Sequence, residues 1–260
     1  MDALTLEWLS ELIDMTISAQ SNAFRVKRIE REAHALLNTS GGRAEICWLL
    51  LTFAAFLQGD RDRCIRCAEA AYALAKHDAM IVGNAASLLN NVGAPRLAAA
   101  YGRQLLSLSD GDARIAVNAA RVLYGALCFE EAAEIVSLRD NRHGLTESDG
   151  FLAFIGGLLS TFQEHGVDVE LRMALLESAI STICAEGCRI RRTTPVNYPD
   201  DTMRYEFFIE QSASQCGSID YAIAKVLTEK FDDAHPEVVT FVCRPLTSYT
   251  PAGVSIEVER

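Results

Sequence analysis

No stretch of this 260-residue chain is apolar for long enough to cross a bilayer. The most apolar run, FLAFIGGLL at 151–159, is interrupted by Gly156 and Gly157, and a spanning helix needs about 20 apolar residues. That run reads instead as a buried helix. Basic charge is also short: 24 Lys and Arg stand against 35 Asp and Glu, a net charge of −11. The deficit excludes nucleic acid as the main partner, because phosphate contacts need clustered cations. Residues after position 140 hold 18 acidic and 10 basic side chains, so most of the negative charge lies there. The start carries no basic leader before an apolar stretch. Asp2, Glu7, Glu11 and Asp14 interrupt it, and residues 4–18 read as an amphipathic helix with Leu6, Leu9, Leu12 and Ile13 inward. The resulting expectation is a cytoplasmic protein that engages neither membrane nor nucleic acid.

Catalytic signatures are missing as well. The sequence has no P-loop, no nucleotide-binding glycine motif after a strand, no G-x-S-x-G and no HExxH. His143 stands alone in RDNRHG, which reads as a loop, and the carboxylate pairs Asp200–Asp201 and Asp232–Asp233 fall in turn-forming sequence. These features point away from an enzyme and imply no cofactor; an activity in the C-terminal part stays as an alternative. Of eight cysteines, Cys64 and Cys67 form a C-x-x-C inside a helical run, with no second pair at zinc-site spacing. Cys184, Cys188, Cys216 and Cys243 are scattered, and His165 and His235 lie near them in sequence only. Buried thiols, with no metal, are the reading.

What the chain does have is a 34-residue echo. Thr52, Ala86 and Ala120 are in step, and so are Cys64, Ala98 and Ala132, all small. Leu51, Ala85 and Ala119 are apolar in step, as are Trp48, Val82 and Ala116, then Ala55, Leu89 and Leu123. Within each unit these residues fall on one helix face. Gly59 and Gly93 mark the break between two helices, with Asp60 and Pro95 suited to the start of the second. Units of this length stack into α-solenoids. The segments 45–78, 79–112 and 113–146 resemble the tetratricopeptide repeat family, most clearly PRLAAAYG at 95–102 and FEEAAEIV at 129–136. Thr52, Cys64 and Leu127 depart from the family's small residues and glycine, and the closing proline is absent from all three units.

Residues 167 onward change character. A helix is predicted over 169–186 and another near 217–231. Strands are predicted at 188–192, 203–210, 238–244 and 253–259 from their alternation, with loops at 194–202 and 245–252. The order αββαββ implies a two-layer α+β domain whose antiparallel sheet has one wet face, carrying Arg189, Arg191, Arg204, Glu206 and Glu210. The expected fold is therefore a helical-repeat domain over 1–166, with capping helices flanking the units, followed by an α+β sandwich over 167–260.

The repeats imply an interaction scaffold, adaptor or chaperone-like, holding a protein or peptide partner in a groove lined by the first helix of each unit. Asn84, Ser87 and Asn91 of the second unit and Arg114, Asn118, Arg121 and Tyr124 of the third are the groove candidates. Asn can donate to and accept from a peptide group, and Arg can hold a carboxylate. The first unit offers Leu49, Leu50 and Phe53 instead, so a mixed apolar–polar segment is the expected ligand. The C-terminal sheet is a candidate homodimer surface. An antitoxin- or immunity-type inhibitor with an acidic face is the second reading.

Overall fold

The computed structural model of the chain describes residues 3–18, 21–39, 43–143, 148–198 and 202–249. Eleven helices and three strands occur among them. The helices are α1 (Ala3–Ser18), α2 (Ala23–Leu37), α3 (Ala44–Leu57), α4 (Arg61–Ala75), α5 (Ala79–Asn91), α6 (Pro95–Ser107), α7 (Ala113–Gly125), α8 (Phe129–His143), α9 (Ser148–Glu164), α10 (Val169–Ala185) and α11 (Ala213–Lys230). The strands are β1 (Ile190–Asn197), β2 (Met203–Ile209) and β3 (Val239–Pro245).

Helices α3 to α8 form three packed pairs whose geometry repeats with the sequence. The turns inside the pairs pass through left-handed backbone at Gly59, Gly93 and Leu127, with φ of 71°, 73° and 63°. After each turn an N–H reaches back to the first helix: Asp60 to Ala55, Ala94 to Leu89 and Cys128 to Leu123. This closes the helix end in the usual left-handed C-terminal motif. Asp78 and Asp112 cap α5 and α7 by accepting backbone N–H groups. The in-step small residues Thr52, Ala86, Ala120, Cys64, Ala98 and Ala132 are all fully buried. First helices touch one another (α3 with α5, α5 with α7), and each second helix meets the next first helix. Helix α8 runs on through His143, where a loop was expected.

The second apolar cluster is continuous from the repeat into the sheet. It joins Leu127 and Phe129 to Ile155, Leu158 and Phe162 of α9, to Leu175, Leu176, Ala179 and Ile183 of α10, and to Tyr205, Phe207 and Phe241. The expected all-antiparallel sheet is corrected. Strand β1 runs antiparallel to β2, but β3 pairs with β2 in parallel, Tyr205 opposite Phe241 and Phe207 opposite Cys243. Helix α11 is the crossover that parallel strands require. The first expected loop is corrected too, because β1 continues through Thr194, Pro195, Val196 and Asn197. So is the wet face: Arg192, Glu206 and Phe208 lie on the side of β2 away from Tyr205, and all three are buried. Tyr249 covers part of that side, edge-on to Phe208 at 5.0 Å. The predicted strand 253–259, with Glu257, lies outside the described residues.

Candidate interaction surface

The face of α5 and α7 that the repeat spacing singles out is polar at its surface. On α5, Ser87 is exposed and Asn84 and Asn91 are half-buried; on α7, Arg114, Asn118 and Arg121 are exposed. Asn84 and Asn118 are in step on neighbouring helices, and so are Ser87 and Arg121. The α5 side chains currently turn their donors onto their own helix. Asn84 Nδ2 donates to Met80 O at 2.8 Å, Ser87 Oγ to Gly83 O at 2.9 Å and Asn91 Nδ2 to Ser87 O at 2.9 Å. Arg114 lies 3.4 Å from its own capping carboxylate, Asp112. Partial desolvation pulls the Arg121 guanidinium down from its usual pKa.

The first unit does not extend this face. Leu49, Leu50 and Phe53 are buried in one cluster with Trp8, Leu9 and Leu12 of α1, which packs on α3. The expected mixed apolar–polar surface is thereby corrected: the apolar part belongs to the core, and the open part is polar.

Tyr124 serves a different purpose. Its hydroxyl accepts a hydrogen bond from Asn197 of β1, and burial pushes its phenol up to about 12. It is one of a row of contacts that β1 makes across the C-terminal ends of the first helices. The Arg192 guanidinium stacks on Phe56 at 4.7 Å. Thr193 Oγ1 donates to Asn90 O at 3.1 Å. Phe56, Asn90 and Tyr124 are themselves spaced by 34. One position further on, Arg191 donates to Leu57 O at 2.9 Å and Tyr205 to Gly125 O at 2.9 Å. Arginines also meet the turns: Arg61 donates to Val92 O and Gly93 O, and Arg172 to Leu127 O. The orphan carbonyls and partial negative charge of a helix end explain why cations gather there. Tyr124 was expected in the groove and Arg191 on a wet sheet face; their roles here, and those of Asn90, Arg61, Arg172, Arg192 and Thr193, were not legible in the sequence, where the one available signal was that Asn90 and Tyr124 are polar and in step.

The expected acidic face of the sheet is neutralised. Glu206 sits between Arg204 at 2.8 Å and Arg244 at 3.1 Å, and Glu210 pairs with Arg191. Seven of the eight cysteines are buried, and Cys184 is exposed where a buried thiol was expected. Cys64 and Cys67 are buried, and burial pushes both thiols up, away from the thiolate that binds metal. A separate group, His165, His235 and Glu237, has ligand atoms within 4.8 Å of one another. No helix among the described residues is long and apolar enough to cross a membrane. Comparison with protein-family models, with curated proteins and with solved structures returns no match for this chain.

Proposed function

We propose that the helix pairs are tetratricopeptide-like repeats and that the chain is a non-catalytic cytoplasmic scaffold, adaptor or chaperone-like, for another protein. A polar segment of the partner lies along α5 and α7. The observation that carries this reading is the in-step pairing of Asn84 with Asn118 and of Ser87 with Arg121 on adjacent first helices. A peptide backbone laid across them meets repeated amides at helix spacing. Arg114 and Arg121 favour carboxylates in the segment. The donors of Asn84 and Ser87 swing from their own helix carbonyls to the partner at little cost, since those bonds are at or near the surface.

A photo-reactive residue at position 118, with a control on α11 at Glu229, tests the proposal. The expected outcome is a partner segment captured from position 118 and absent from the control. Binding of that segment, followed by fluorescence anisotropy, should weaken about fivefold or more for Asn118→Ala and for Arg121→Glu, at about 1–2 kcal/mol each. The melting temperature should hardly change. Capture only from the control face, or unchanged affinity in both variants, would remove the α5–α7 face from consideration.

A further inference from the structure

Seventy residues apart in sequence, His165 and His235 meet over one carboxylate. His165 lies in the turn that ends α9; His235 and Glu237 lie in the loop between α11 and β3. Glu237 Oε1 is 3.2 Å from His165 Nδ1 and 3.4 Å from His235 Nδ1. The two rings stand edge to face, 81° apart with centroids at 6.2 Å, so both Nδ1 atoms converge on the same oxygen. His235 Nδ1 is buried and forms no hydrogen bond. The backbone that carries the ring is pinned on both sides. The His235 N–H donates to Asp233 Oδ1 at 2.8 Å, and the His235 carbonyl accepts from Val238 and Val239 N–H, both at 3.0 Å. Asp233 Oδ2 then stands 3.6 Å from His235 Nδ1.

We propose that His165, His235 and Glu237 bind one divalent transition-metal ion of the zinc class. The distances carry the argument. With Zn–N and Zn–O bonds of about 2.0–2.2 Å, neighbouring ligands of a tetrahedral ion lie about 3.3–3.5 Å apart. The separations of 3.2 and 3.4 Å between the imidazoles and the carboxylate match that edge. Two imidazoles and one carboxylate suit zinc, cobalt or nickel and not magnesium, which prefers an octahedron of oxygens. Three protein ligands leave the fourth position to water. Asp233 Oδ1 accepts the His235 N–H and so fixes the backbone from which the ligating ring projects. His165 and Glu237 are half open to solvent, at 40% and 49% side-chain exposure, so the ion has an entry path. The bound ion ties the turn after α9 to the loop that feeds β3.

The test uses the full chain, stripped with a chelator and titrated with Zn²⁺ alone by calorimetry, then with Co²⁺ followed by visible absorption. One equivalent should bind, with the d–d intensity of a four-coordinate cobalt ion. Zinc should raise the melting temperature, and Mg²⁺ should not. His165→Ala, in an exposed turn, and Glu237→Gln should each weaken binding at least tenfold and abolish the thermal shift. His77→Ala, far from the site in sequence and on another turn, should change nothing. Long-range nitrogen–proton spectra should move the ring signals of His165 and His235 alone. Binding unaffected by both His165→Ala and Glu237→Gln would overturn the proposal, as would a sulfur-to-cobalt charge-transfer band or no binding at high micromolar zinc.

Discussion

Arg172 is buried to 1% exposure yet carries a charge, and replacing it gives the sharpest test of how the repeat is fastened to the rest of the chain. Its Nε donates to Leu127 O and its Nη1 to Val167 O, both at 3.2 Å. Its Nη2 bonds both oxygens of Glu130, the nearer pair member at 2.5 Å. The guanidinium is flanked by the Phe129 and Phe162 rings at 5.4 and 4.9 Å. Arg172→Met keeps most of the apolar stem but orphans two carbonyls, at about 1–3 kcal/mol each. It also forfeits two cation–π contacts, worth about 1–2 kcal/mol each when desolvated. Against this stands the desolvation of a buried charge, which methionine removes. The balance is a loss of about 3–5 kcal/mol, a large share of the roughly 5–15 kcal/mol that holds a domain folded. Arg172→Lys keeps the charge but not the planar fork, and should lose about 2–3 kcal/mol. Glu130 is 53% exposed, so Glu130→Gln should lose about 1 kcal/mol or less. Urea unfolding followed by far-UV circular dichroism measures all three. If Arg172→Met lies within about 1 kcal/mol of Glu130→Gln, the two carbonyls are satisfied some other way and the reasoning fails.

Leu127→Gly restores the glycine of the other units and relieves a φ of 63°, but it empties a fully buried site. The cavity outweighs the relief, and a net loss of about 2 kcal/mol is expected in thermal melts. Gly125→Ala places a Cβ 2.7 Å from Asn90 Nδ2, which donates to Val122 O. It should cost about 1–2 kcal/mol, and a double-mutant cycle with Asn90→Ala should be non-additive. Burial raises the Tyr124 and Tyr205 phenols to about 12 in the folded chain. Their contribution is therefore intact below an unfolded pKa of about 10 and lost as the pH climbs towards 12, so the urea midpoint should fall over that window and fall less in Tyr205→Phe. Burial also raises Asp220, whose Oδ1 accepts from Cys243 N–H at 2.6 Å. Raised above its unfolded value, this carboxyl weighs against the fold at neutral pH, so Asp220→Asn should match or exceed the wild-type melting temperature, while Asp220→Ala should fall below it.

The stacked pairs were legible because close packing of two helices demands small residues at fixed places, and those places recur: Ala86 with Ala98, Ala120 with Ala132. Leu127 shows the limit of that reading, since a leucine holds the left-handed turn where the echo calls for glycine. The direction of β3 was not legible from alternation, which looks the same along either direction of a strand. The length of α11 held the missing information, because a helix between two strands is how parallel neighbours are joined. The wet face failed for an electrostatic reason. Glu206 between Arg204 and Arg244 satisfies its charge within the sheet, so a charged residue there did not mark solvent. Neither the β1 contacts nor the pairing of His165 with His235 has a local signature, since each joins segments at least seventy residues apart.

The row of contacts at Phe56, Asn90 and Tyr124 constrains how a partner approaches. Strand β1 lies across the C-terminal ends of α3, α5 and α7, where its side chains take up helix carbonyls at Leu57 and Asn90, and Tyr205 of β2 takes up Gly125 O. Arginines that would otherwise give the surface positive charge are engaged in the same work, Arg61, Arg172, Arg191 and Arg192 among them. The chain thus directs part of its limited basic content inward, against the partial negative charge of helix ends. The N-terminal ends of α5 and α7 carry the partial positive charge, and Arg114 stands at the one on α7. A partner carboxylate on the proposed face therefore meets Arg114 and the helix-end charge of α7 together, and Arg121 without that helix-end charge. Moving an acidic residue of the segment from opposite Arg114 to opposite Arg121 should weaken binding by that one helix-end contribution, about 0.3–1 kcal/mol at low salt, and high salt should erase the difference.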